Sequence, residues 1–90
     1  MDTRYIEALW IDGHPTEITN DTEFSENLIA VYSPRPLPVV EGETVSLRVV
    51  LVTSEIYEGA ATVGRVGTIG GKTPTYSCPL RSSEGLSLTN

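Results

Sequence analysis

TVSLRVVLVT, residues 44–53, is the longest apolar run in the chain, and whether it forms a strand or a helix decides the fold. The run is dominated by β-branched residues, with only leucine and arginine as good helix formers, so it reads as a strand. At a period of two, Val45, Leu47, Val49 and Leu51 share one face. Burying four aliphatic side chains contributes roughly 6 to 12 kcal/mol before chain entropy is subtracted, which places that face on a core. The opposite face runs Ser46, Arg48, Val50, Val52, wet in its first half and apolar in its second. That pattern predicts an interior strand with a neighbour covering its far end.

The rest of the composition agrees. Thr, Val and Ile number 11, 9 and 6 among the 90 residues, while Ala and Met are scarce, which tilts the whole chain toward strand. Ninety residues suffice for one small core and no second domain. The expected fold is all-β: a small single-domain sandwich or partly open barrel of about four to six strands with an extended C-terminal arm.

Upstream of the central run, Pro34, Pro36 and Pro38 alternate in PRPLP and predict an extended, polyproline-like connector. No two of them lie three apart, so the segment lacks the PxxP spacing of a docking motif. Residues 28–32, LIAVY, read as a short buried strand ended by Ser33-Pro34. Residues 20–27, NDTEFSEN, read as an acidic loop or a single helical turn. Asp12-Gly13 lies between apolar runs and predicts a hairpin over residues 5–19 with a type I′ turn. Pro15 puts the return arm at a sheet edge, and Trp10, in line with Ile6 and Ala8, is the expected anchor of the first arm.

Downstream, residues 54–59 read as a turn and 60–69, AATVGRVGTI, as the next strand, giving a meander that is closed or nearly so. Gly64 and Gly67 mark a bulge, a barrel corner or a place where another backbone comes close. After Gly70-Gly71 the alternation stops: residues 72–90 carry two prolines, four serines and scattered apolar residues. The expected organisation is a β domain over 1–70 and an extended arm over 71–90. Tyr76, Leu80, Arg81, Leu86 and Leu88 are the arm's candidate partner contacts. An arm of this kind is held by its own domain, by a sister copy or by a larger partner.

Residues 41–49, EGETVSLRV, resemble the lead-in to a core strand of bacterial immunoglobulin-like domains, a pattern shared by many β proteins. No matching tryptophan or tyrosine-corner spacing accompanies it, so no family is assigned.

The formal charge of −6 is uneven. Residues 1–26 hold seven acids against Arg4, whereas residues 63–90 hold Arg65, Lys72 and Arg81 against Glu84. A chain with one lysine lacks the cationic cluster that displaces counterions from nucleic acid, so direct nucleic-acid binding is not expected. No window reaches the length of an apolar membrane span, and MDTRYIEALW lacks the pattern of a secretion signal, which points to the cytoplasm or a virion. Asn20-Asp21-Thr22 matches a glycosylation sequon of no expected consequence in that setting. Cys78 is the only cysteine, so no internal disulfide is possible.

Catalytic chemistry finds little purchase. Gly70-Gly71-Lys72-Thr73 resembles the end of a P-loop, yet Val66 stands where the loop needs glycine and Pro74 where a helix must begin. His14 and Cys78 are each alone of their kind, too few for a zinc site or a nucleophilic pair. The carboxylates fall in expected turns and loops. No enzyme, cofactor or metal role is assigned.

Two functions follow. The first is a structural or interaction protein that assembles with copies of itself or caps a larger assembly, in the style of a virion decoration or minor capsid protein. The second is a small acidic phage-encoded inhibitor that covers the basic nucleic-acid-binding surface of a host protein, using Asp12, Glu17, Asp21, Glu23 and Glu26 as the acidic surface. An ordinary solvated edge produces the same spacing of acids.

Overall fold

The computed structural model describes residues 5–89. They are all-β, with no helix among them: nine strands joined by antiparallel pairings into one sheet that does not close into a barrel. The central run forms β5 (Thr44–Leu51), held between β1 (Ile6–Ile11) and β6 (Ile56–Val63). Val45, Leu47, Val49 and Leu51 are all at most 4% exposed. On the other face the expected cover reaches only Val50, which is half-buried; Val52, beyond the strand, is 52% exposed.

β1 turns back into β2 (His14–Thr16) through Asp12 and Gly13, whose φ angles of 51° and 81° are those a type I′ turn requires. Pro15 lies on the outer edge of the sheet, where its missing N–H removes no ladder bond. Trp10 is not the core anchor. Both faces of YIEALWI are apolar enough to bury, and the pairing with β5 chooses between them. Leu9 lies opposite Val49 and Ile11 opposite Leu47, so these two point inward, while Trp10 lies opposite Arg48 and points out. A bulge between Ile6 and Ala8 absorbs the mismatch at the start of the strand.

The tail also differs from expectation. Residues 71–90 are no appended arm: β8 (Thr75–Arg81) sits inside the sheet, between β6 and β4 (Leu28–Ser33), with Cys78 and Leu80 in the core. β6 begins at Ile56 and, with β7 (Gly67–Ile69), forms one bent arm of a long hairpin; β8 and β9 (Ser87–Leu88) form the other. The first arm is interrupted at 64–66 and the second at 82–86. The order β2-β1-β5-β6-β8-β4-β3, where β3 is Glu23–Phe24, is therefore not a meander. The serines and prolines hid an alternation in which Cys78 lies opposite Val31 and Leu80 opposite Ile29.

β6 and β8 pair directly at only two positions, Thr62 with Arg81 and Val63 with Leu80. Beyond this joint they part. β6 continues with β5, β1 and β2 and is edged by β9, making a first layer; β8 continues with β4 and β3 and is edged by β7, making a second. The layers face each other: Phe24 of β3 and Tyr57 of β6 bring their rings to 5.0 Å, and the narrowest molecular dimension is 22 Å. At the joint the Gly64 N–H donates to the Pro79 carbonyl at 2.8 Å. A Cβ on Gly64 would lie 2.6 Å from Pro79 Cγ and 3.1 Å from its carbonyl oxygen, so this glycine marks the close backbone approach that the sequence suggests. Pro79 is tolerated mid-strand because N–H and C=O of one residue point to the same side, here toward the interruption at Gly64 and away from β4.

Local hydrogen bonds hold the two interruptions and the crossings. The Ser82 N–H donates to Asn27 and the Leu86 N–H to Glu26, fixing the 82–86 bulge to the β3–β4 turn and pressing Leu86 into the core. Residues 34–43 cross from one layer to the other, with Leu37 and Val39 packed on the core. The crossing ends in paired bonds from Gly42 to Val63 and from Val63 to Glu43, each 2.8 Å. Beside β4, the buried Thr22 hydroxyl accepts from the Tyr32 N–H and donates to its carbonyl, standing in for a missing strand.

Two outcomes follow from the joint. Gly64→Val should lower stability by about 1 to 3 kcal/mol through overpacking against Pro79, while Gly71→Ala, with nothing within 4 Å, should be nearly neutral in the same urea titration. Removing residues 72–90 takes Cys78, Leu80 and Leu86 from the core and the strand that joins the layers. The truncated chain should show no cooperative unfolding transition by circular dichroism, whereas a folded truncated domain would contradict this architecture.

Candidate functional site

The five candidate contacts of the tail fall in different places. Leu80 and Leu86, 1% and 6% exposed, are core residues whose side chains are occupied within the domain. Tyr76 is half-buried on β8, opposite Ser33 and Thr68. Arg81 and Leu88 remain at the surface, Arg81 beside a cleft of about 360 Å³ along the 82–86 bulge and Leu88 on the two-residue edge strand β9. As a set, the five do not form a surface.

The acids are dispersed as well. Asp12 sits in the first hairpin turn, its Oδ1 accepting from the Ser46 N–H at 2.8 Å. Glu17 pairs with Arg35 at 2.9 Å, an exposed contact of small energetic weight. Glu26 lies by the 82–86 bulge, where its carbonyl holds Leu86. Asp21 and Glu23 alone come together, lining a cleft of about 350 Å³ with Tyr32, Ile69 and Thr75 on the outer side of the second layer. Asp2 and Arg4, part of the acidic start, lie outside the described residues.

The residues considered for catalysis are apart from one another. His14 is exposed beside the first turn, and Cys78 is buried in the second layer. Among the described residues, no three His, Cys, Asp or Glu side chains converge as a metal set. Burial pushes the Cys78 thiol above its ordinary pKa, opposed in smaller measure by a backbone hydrogen bond from Gly64. No helix among the described residues is long and apolar enough to cross a membrane.

What the fold does gather is the outer face of the first layer. Cross-strand register sets Pro15, Trp10, Arg48, Glu58 and Ser87 in one row over five strands. The Arg48 guanidinium lies 5.6 Å from the Trp10 ring centroid, and its Nε is 3.8 Å from Glu58 Oε2. Ala8, Val50 and Ile56, all half-buried, form the next row, and the small residues Ser46 and Ala60 flank the other side. Trp10, Gly13, Leu47 and the charged pair line a shallow cleft of about 380 Å³. Arg48 and Glu58 are the only charged residues in these rows, so the middle of the face is neutral in a chain of formal charge −6, while Glu7 and Glu17 stand at its margin beside Ala8, Trp10 and Pro15.

Comparison with protein-family models, curated proteins and solved structures finds no match to this chain. Its chemistry must therefore be argued from its own surface. Sequence periodicity placed Arg48 on the outer face of β5, but Trp10 was assigned to the interior. The signal that could have found the row is the sequence Trp-Ile-Asp-Gly: once Ile11 is counted as the core residue next to the turn, Trp10 must face outward.

The buried thiol provides a check on the second layer. Cys78 should react with a thiol reagent only as fast as the domain unfolds, and denaturant should raise that rate in step with loss of the fold. With the folded pKa raised, the protonated thiol contributes its full stability below the ordinary thiol pKa and loses it as pH rises through the higher folded value. Stability should therefore fall at alkaline pH in the wild type more than in Cys78→Ala. Rapid labelling of the native protein would contradict the placement of this residue.

Proposed function

We propose that the protein is a non-enzymatic structural or interaction module that assembles with copies of itself or caps a larger assembly, a virion surface being one such setting. The observation that carries this is the broad outer face of the first layer, neutral in its middle rows, with a tryptophan and an arginine at its centre. These two residue types dominate the energetics of protein interfaces, and Glu58 beside the arginine balances its charge. The short edges support contact by faces: β2, β3, β7 and β9 have three, two, three and two residues. Such edges offer little for strand addition.

A second reading is favoured by one feature, the pairing of Asp21 and Glu23 beside Tyr32 and the 54% exposed Ile69. An acidic margin around apolar side chains suits a basic protein surface, as an inhibitor of a nucleic-acid-binding protein would require.

Light scattering on the full-length protein at low and high salt separates the two. The assembly reading expects a mass above 9.7 kDa that persists at high salt, or, for the capping role, co-sedimentation of the monomer with large assemblies from its source. The inhibitor reading expects a monomer whose complex with a basic partner weakens steeply with salt. A monomer that co-sediments with nothing would overturn the first reading.

A further inference from the structure

We infer that the outer face of the first layer is a two-fold interface between two copies of this chain, with Arg48 and Glu58 setting its register. This rests on the assembly reading and adds the partner and the geometry. The face has the dimensions of a small interface. Its strands, of three, six, eight, eight and two residues, cover roughly 400 Å² in projection at their usual spacing, and side-chain relief carries the accessible area toward the lower end of specific interfaces.

Its charge pattern is self-complementary. Arg48 and Glu58 are direct cross-strand neighbours on β5 and β6, both about half exposed. Consider a two-fold axis in the plane of contact, parallel to the strands and between β5 and β6. Rotation about it lays β5 of each copy over β6 of the other, so Arg48 faces the partner subunit's Glu58 and Glu58 faces the partner subunit's Arg48. Four charges then alternate in sign around the axis. The same rotation sets each Trp10 toward the partner's β9 side, where the row ends in the small Ser87, and the small Ser46 and Ala60 allow the sheets to approach. In a chain of formal charge −6, the neutral middle of this face lets a second copy approach without adding like charges at the axis.

Charge reversal tests the geometry. In sedimentation velocity over a range of concentrations, the wild type should be a dimer. Glu58→Arg places four like charges at the axis and should weaken the dimer roughly tenfold or more, and Arg48→Glu should do the same. The double variant Arg48→Glu with Glu58→Arg restores alternation and should recover the dimer to within a few-fold of wild type. Both positions are exposed, and matched thermal midpoints will confirm that each variant folds. Trp10 is the sole tryptophan, so its emission should shift to the red as the wild type is diluted and dissociates. A monomeric wild type, or a double variant no better than the singles, overturns the interface. A wild-type oligomer indifferent to both single reversals also overturns it, while leaving the broader assembly reading in place on another face.

Discussion

The structure depends on a short joint, the two-residue pairing of Thr62–Val63 with Leu80–Arg81. One sheet becomes two facing layers because the long hairpin changes partners there: its first arm is bonded to β5, its second to β4, and the two arms stay paired to each other only where the layers meet. Continuing that pairing would keep both arms in one flat sheet, with an apolar face open to water. Gly64 and Pro79 stop it together. Gly64 lets the backbones come close enough for its N–H to reach the Pro79 carbonyl, and Pro79 has no N–H with which to extend the ladder on that side. The interruptions at 64–66 and 82–86 then let each arm diverge and bury its own apolar residues against the opposite layer.

Folding the sheet in this way divides its chemistry by face. Inward positions take Leu9, Ile11, Val49, Val31 and Leu80, and close packing of two layers leaves the core to side chains without charge. The acids are left to turns and margins: Asp12 at a hairpin tip, Glu26 at the bulge, Asp21 before the short edge strand β3 and Glu23 at its start. The middle of the first layer's outer face therefore holds one cation and one anion side by side, with a tryptophan against the cation. The charge of the protein is thus carried mainly at the margins of its layers, while the middle of this face is balanced. Short edges add to this division, since they leave faces, and not backbone ladders, as the available contact surfaces.

Much of the architecture was legible in the residues. The strand at residues 44–53 and its buried face followed from a strict alternation of large aliphatics. Asp12-Gly13 specified a turn that few other dipeptides accommodate, and Gly64 flagged a close backbone approach. Pro34, Pro36 and Pro38 marked a connector outside the strands, although the chain bends at 34, 35 and 38 instead of running straight. The candidate site was less legible: of the residues singled out, Leu80 and Leu86 proved to be core, and the acids did not gather into one surface. Arg48 was seen as an outward residue, but nothing local showed that Trp10 and Glu58 stand beside it.

By itself, then, the sequence determined the strand class, the first turn and the alternation of the central strand, because each depends on the steric and solvation preferences of neighbouring residues. Tertiary structure decided which face of β1 is buried, where the tail goes and which side chains share a row. Those outcomes depend on long-range register. Trp10 faces water because Leu9 and Ile11 align with Val49 and Leu47, and residues 75–81 form a strand because β4 and β6 leave a place between them that Cys78 and Leu80 fill. A segment of mixed polarity such as TYSCPLR carries too little apolar surface to declare itself alone, and becomes a strand when partners on both sides supply its hydrogen bonds and cover its alternate residues.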